Sequence, residues 1–280
     1  MYIGLRKTED DRSFPIANPF AWMLIPGESL LIISNAHVCK CVRGVLAEVV
    51  ENHSFRNQVH VFIDRFHAGR LLVEKLIEYE RGSNVYVLAI PAGGVEVAYT
   101  VAKGLRLPLD VAVTRKLHVP WNPEAGFGAI SWVGQVFLNE PLVDALNLTE
   151  EDIERCVDEE KEVIRRRLQM FRGGKPSPDL RDKTVVVVDD GLASGYSMLT
   201  TLKTLKPLGV KEMVVAVPTA PMRAIQLVRP HANRIFCLNV RTGPIFAVAD
   251  AYRVWYDLED ADVVRILSKS GLFKQNLSNH

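Results

Sequence analysis

Residues Thr184 to Val188 read Thr-Val-Val-Val-Val, and no other stretch constrains the fold of this chain so strongly. Valine is stiff at Cβ and favours strands. An unbroken apolar run, as opposed to an alternating one, marks a strand covered on both faces. Similar runs at Val85–Ile90, Pro108–Thr114, Met213–Val217 and Arg234–Val240 predict further strands. Between them, Asp64–Glu80, Gly94–Leu105, Ser197–Leu208, Pro221–Val228 and Ala261–Ser268 carry helical spacing of apolar residues. Strands alternating with helices of this length require crossover connections and a parallel sheet. The expected class is therefore α/β, an open and mainly parallel twisted sheet with helices on both faces. In such sheets the ligand lies outside the carboxyl ends of the strands, so function is sought in the residues just after each strand.

Composition narrows the classes. The chain has 280 residues, with 34 Lys plus Arg against 33 Asp plus Glu, a formal charge of +1. Nothing in that balance attracts a phosphate backbone, so a general nucleic-acid binder is not expected. The four cysteines (Cys39, Cys41, Cys156 and Cys237) form no disulfide framework, and a reducing cytoplasm is the simpler expectation. The first residues have no apolar signal core, and the apolar stretch at 20–34 is broken by Pro26, Gly27 and Glu28. It is too short to span a bilayer, and no membrane association is expected. His37, Cys39 and Cys41 would share one strand face, but no fourth ligand follows at metal-binding spacing, so buried thiols are expected there.

Two regions break the alternation. Lys116–Glu140 contains Trp121, Trp132 and many glycines and prolines, and reads as a loop and hairpin excursion over the sheet. Thr149–Arg172 reads as a charged helix, with Thr149 as N-cap and Asp152 three residues on. Its start is acidic and its end basic (Arg165, Arg166, Arg167, Arg172), which complements the helix dipole. That basic end is expected to be solvated. Residues 1–55 fit none of these patterns. The expected organisation is an N-terminal extension at 1–55 and one domain at 56–280, with a hood or flexible region at about 116–172.

The valine strand ends in Asp189-Asp190, followed by Gly191-Leu192-Ala193-Ser194-Gly195-Tyr196-Ser197 and a helix. Backbone N–H groups at a helix start, with the Ser194 and Ser197 hydroxyls, suit a phosphate. Gly191 and Gly195 allow close approach of the main chain. Two ionised carboxylates accept hydrogen bonds and suit the two donors of a vicinal diol. A phosphate at one end and a diol at the other describe a ribose 5-phosphate. No Lys follows the glycine as in a Walker loop, no G-x-G-x-x-G is present, and Ser194 lacks the G-x-S-x-G frame.

The stretch 189–197 resembles the sugar-phosphate loop of the type I phosphoribosyltransferases, an apolar strand, two acids, three small or apolar residues, then Thr/Ser-Gly-x-Thr/Ser. Tyr196 is larger than the residue usual there. Pro91-Ala92-Gly93-Gly94 is similar to the family's pyrophosphate loop, with Ala92 where a basic residue is usual. The segments at 108–124, 138–140, 216–221, 246–248 and 255–256 resemble the branch called predicted phosphoribosyltransferases. The resemblance spans about residues 60–268.

It implies a Mg²⁺-dependent enzyme that displaces pyrophosphate from phosphoribosyl pyrophosphate with a small-molecule, nucleobase-like acceptor, and it implies a homodimer. Asp189 and Asp190 would hold the ribose hydroxyls and the metal, residues 191–197 the 5-phosphate, and Ala92, Gly93 and Gly94 the pyrophosphate. Arg115 and Lys116 would supply the charge that Ala92 lacks. Phe246, Tyr252 and Trp255 are candidates for stacking on the acceptor. Two alternatives stay open, a sensor that kept the sugar site and lost turnover, favoured by Ala92, and a phosphoesterase or phosphorylase acting on ribose phosphates.

Overall fold

The computed structural model describes residues 46–270. The chain enters through a short strand, β1 (Glu48–Val50), and continues with α1 (Arg65–Lys75), β2 (Val85–Ala89), α2 (Gly94–Leu105) and β3 (Leu109–Val111). The hood follows, with strands β4 (Arg115–Val119), β5 (Asn122–Ile130) and β6 (Val136–Leu138) and helices α3 (Glu140–Ala145) and α4 (Glu150–Arg172). The chain then returns to the main sheet as β7 (Thr184–Val188), α5 (Tyr196–Leu205), β8 (Glu212–Pro221), α6 (Met222–Val228), β9 (Arg234–Arg241) and α7 (Asp260–Lys269).

The main sheet has six strands in the order β1-β9-β8-β7-β2-β3, and every pairing is parallel. The expected class is thus the observed one. Val185 to Val188 are fully buried at the centre of the sheet, as an unbroken valine run requires. From β2 the chain moves to the edge at β3, then comes back to the opposite side of β2 as β7. The strand order reverses between β2 and β7, and a crevice opens at such a point.

β1 lies inside the stretch set apart as an extension. Its three residues pair with Arg234, Ile235 and Phe236 of β9, so the sheet starts before residue 56. The excursion after β3 is more regular than its composition indicates. It is a three-stranded antiparallel sheet, β4-β5-β6, with irregular register around His118. Leu117, Val119, Phe127 and Ile130 give it a buried face.

α4 begins as expected. Thr149 and Asp152 form a reciprocal capping box, with the Asp152 N–H donating to Thr149 Oγ1 at 3.1 Å. In its basic end Arg165 and Arg166 are exposed, as expected of a solvated run, whereas Arg167 and Arg172 are not. Arg172 is buried, donating from Nε to Asp110 Oδ1 at 2.9 Å and from Nη2 to the Val111 carbonyl at 3.1 Å. Arg167 pairs with Asp260 at the start of α7. These two arginines tie the hood helix to β3 and to the closing helix.

Candidate functional site

The loop after β7 is pinned at one point and open at its end. Leu192 is buried, and its N–H donates to the Thr219 carbonyl of β8 at 3.0 Å. Gly195 has φ +86, a left-handed conformation that a side chain would strain, and it turns the chain into α5. The N-cap Gly195 offers no side chain to α5, and at this helix start, among the described residues, only the Tyr196 N–H meets a side chain, Ser194 Oγ at 3.5 Å, an arrangement that suits an anion. Ala193, Ser194, Tyr196 and Ser197 are exposed around that helix start. The bulk of Tyr196 points away from the core, with 58% of its surface exposed.

Facing this loop is the turn after β2. The Pro91–Ala92 peptide bond is cis, and α2 starts at Gly94. A Cβ on Gly93 would run into the Asp190 carboxylate. One on Gly94 would lie 2.8 Å from Asp189 Cα. The two glycines therefore let the β2 turn close directly onto the acid pair, at the point where the strand order reverses. Ala92 is half-buried and packs against the core.

The acids are not equivalent. Asp189 Oδ1 accepts the Asp190 N–H at 2.9 Å. Asp190 Oδ2 accepts from Arg65 Nε at 2.9 Å, and the Asp190 carbonyl accepts the Tyr252 hydroxyl at 2.6 Å. Burial pushes the Asp189 carboxyl well above the usual carboxylate range, and the neighbouring Asp190 charge adds to this. Burial also raises Asp190, against the opposing pull of the Arg65 guanidinium. Two close acids in one crevice resist double ionisation until a donor or cation arrives.

Arg65 is the site residue that sequence reasoning missed. It is 3% exposed and also donates from Nη1 to the Tyr256 carbonyl at 2.8 Å. The Trp255 ring covers its guanidinium with the carbon 4.0 Å from the ring centroid. Asp64 places it there by capping α1, its side chain accepting the His67 N–H at 2.7 Å. One signal was present in the sequence. An arginine in the first turn of a helix opposes the helix dipole, and such a local inconsistency points to a tertiary partner.

The remaining predicted residues divide. Trp255 is 37% exposed and stacks on Arg65, and Tyr252 is buried against Phe62 and Trp255 with ring centroids 5.5 and 5.3 Å away. Tyr252 therefore belongs to the core that positions Asp190. Phe246 is half-buried, with the Arg241 guanidinium 5.9 Å from its ring. Arg115 comes after β3, opens β4 and pairs with Glu160 of α4 at 2.6 Å. Lys116 lies along β5, where a Cβ on Gly126 would meet its side chain. His37, Cys39 and Cys41 lie outside the described residues. Among the described residues no three His, Cys, Asp or Glu side chains gather as a metal cage, and no helix is long and apolar enough to cross a membrane.

Comparison with known proteins agrees with this geometry. The sequence profile of the phosphoribosyl transferase domain matches residues 63–252, more than half of the chain. A Mycobacterium tuberculosis protein whose name assigns it provisionally to the phosphoribosyl transferases, Rv0571c, is 35% identical over 210 residues, as is its counterpart MT0597 from strain CDC 1551. Those residues are 75% of this chain and 47% of the relative, so the chain spans about half the length of these proteins. The crystal structure of TT1426 from Thermus thermophilus is similar at a TM-score of 0.62 and 35% identity, over 74% of this chain and 98% of that one. With the family profile lying over both loops of the crevice and over Arg65, the chain belongs to the phosphoribosyl transferase domain family.

Proposed function

We propose that this chain transfers a phosphoribosyl group from phosphoribosyl pyrophosphate to a nucleobase-like acceptor. The observation that carries the reading is the meeting of Asp189 and Asp190 with Gly93 and Gly94, beside the uncapped start of α5. In this reading the α5 N–H groups, Ser194 and Ser197 bind the 5-phosphate. Asp189 and Asp190 accept hydrogen bonds from the ribose hydroxyls, and the main chain at 92–94 faces the pyrophosphate. The acceptor nucleophile forms a bond to ribose C1 as the C1–oxygen bond to pyrophosphate breaks. An oxocarbenium-like transition state needs alignment and charge stabilisation more than covalent help.

Mg²⁺ fits the donor set in a limited way. Two carboxylates without a third protein ligand suit an ion that keeps water and substrate phosphate oxygens in its shell. Asp189 and Asp190 would hold it, directly or through water, and the ion would disperse charge on the departing pyrophosphate. Arg115 and Lys116 are carried by the hood as the proposed cations for that group, and Arg115 would leave Glu160 to serve there. Trp255 and Phe246 are the proposed acceptor contacts. A cytoplasmic setting and a homodimer belong to the same proposal.

One observation favours a second reading. Ala92 gives the pyrophosphate turn no side-chain charge, which suits a sensor that binds phosphoribosyl pyrophosphate without turnover. Pyrophosphate release, measured with Mg²⁺ against a panel of purine and pyrimidine bases, separates the two. Release with one base supports the transferase. Intact binding with no release from any base rejects it in favour of the sensor.

A further inference from the structure

Arg65 lies between two carboxylates and grips only one. Its Nε is 2.9 Å from Asp190 Oδ2, while its Nη1 is 3.8 Å from Glu96 Oε2. Glu96 is 4% exposed, on the first turn of α2 just beyond the glycine pair. Among the described residues its Oε2 is the buried side-chain atom left without a hydrogen-bond partner. The other oxygen, Oε1, accepts the Tyr256 hydroxyl at 2.7 Å and so orients the carboxylate. A buried acceptor without a donor is costly, and such an atom calls for a specific explanation. Here a donor, Arg65 Nη1 at 3.8 Å, already stands only about half an ångström beyond hydrogen-bond range.

We propose that Arg65 is the positioning residue of the sugar site, and that its guanidinium passes from Asp190 toward Glu96 when a vicinal diol engages Asp190. The inference rests on the ribose-phosphate reading above. A diol hydroxyl that donates to Asp190 competes with Arg65 Nε for the same carboxylate, and as the guanidinium shifts, Oε2 of Glu96 receives an N–H from Nη1, which already faces it at 3.8 Å. The handover needs no new charge in the crevice, because Arg65 stays between the two acids throughout. It also reaches the chain at 255–256. Trp255 stacks on this guanidinium at 4.0 Å, and the Tyr256 carbonyl accepts from its Nη1 at 2.8 Å. Ligand arrival at the sugar site is thereby felt by the aromatic pair beside it.

The test titrates the full chain with phosphoribosyl pyrophosphate and Mg²⁺, followed in parallel by calorimetry and by indole emission. The parent is expected to bind with a change in emission. That change is expected to disappear in Trp255→Phe while calorimetry still records heat of binding. Glu96→Gln keeps an acceptor for Tyr256 and removes the charge. It is expected to weaken binding about tenfold, the scale of one charge-assisted hydrogen bond, and to cut the emission change by more than half. Binding without a Trp255-dependent change, or with a change undiminished in Glu96→Gln, overturns the handover and leaves the ribose-phosphate reading standing. No binding by the parent removes that reading and this inference together. Should Glu96→Gln not fold, the comparison of Trp255→Phe with the parent decides.

Discussion

Arg65 Nε meets Asp190 Oδ2 at 2.9 Å across 125 positions of sequence. This contact fastens the first helix of the sheet domain to the end of its central strand. Tyr252 completes the clasp from a third segment by donating to the Asp190 carbonyl at 2.6 Å. The acid pair is therefore set by tertiary structure as well as by the loop that carries it.

Arg65→Met is expected to destabilise the fold by about 3–5 kcal/mol near neutral pH, because it leaves Asp190 and Glu96 buried without their shared cation. Urea unfolding checks this. A loss under about 1 kcal/mol would mean that the buried acids do not depend on Arg65.

Gly93→Ala tests the contact between the two loops. The new methyl would collide with an Asp190 carboxylate that Arg65 prevents from swinging aside. Phosphoribosyl pyrophosphate affinity is expected to fall at least about tenfold, the cost of a misplaced charged hydrogen bond. Unchanged affinity by calorimetry would separate the β2 turn from the sugar site.

How much of this was legible in the sequence follows from the range of the interactions involved. Thr184–Val188 and Gly94–Leu105 have the bounds that their own residues predict, since a valine run and an amphipathic stretch carry their signal locally. The Thr149–Asp152 capping box is local as well. By contrast, β1 is three residues long and exists through its pairing with β9, which no periodicity over three residues can show. The helix expected over Asp64–Glu80 ends at Lys75 and gives way to a short turn at Ile77–Tyr79. The site divides in the same way. Asp189, Asp190 and the loop to Ser197 are contiguous and readable, whereas Arg65, Glu96 and Tyr252 come from three distant segments. The pairing of Arg115 is hidden from local spacing as well, because its partner, Glu160, lies 45 positions away.

The acid pair also predicts a pH effect. Asp189 has its carboxyl raised above its unfolded value by burial and by Asp190, so the native state binds more protons than the unfolded state in the window between those two values. Its contribution to stability is fully present below the ordinary aspartate range and is lost as pH rises through the raised value. Asp189→Asn removes that loss. It is expected to unfold at higher urea than the parent near pH 7, with the advantage shrinking on acidification, and to bind phosphoribosyl pyrophosphate more weakly. A variant less stable than the parent at pH 7 would contradict the sign.

Arg172→Met probes the tie between hood and sheet. It strands Asp110, whose carboxyl burial already holds above its usual value in spite of Arg172. A loss of about 3 kcal/mol is expected near pH 7. Because a raised native value favours the protonated acid, the loss should shrink as pH falls and Asp110 takes up a proton. Parallel urea curves at neutral and acidic pH read this difference. A penalty that grows with acid would count against it.

The central claim is that Asp189 and Asp190 form a sugar-phosphate site. Calorimetry with phosphoribosyl pyrophosphate and Mg²⁺, comparing the parent with Asp189→Asn/Asp190→Asn, tests it most directly. The account predicts measurable binding by the parent and a loss of at least about 100-fold in the double variant, since two charged acceptors are removed. Equal binding by both proteins would contradict it.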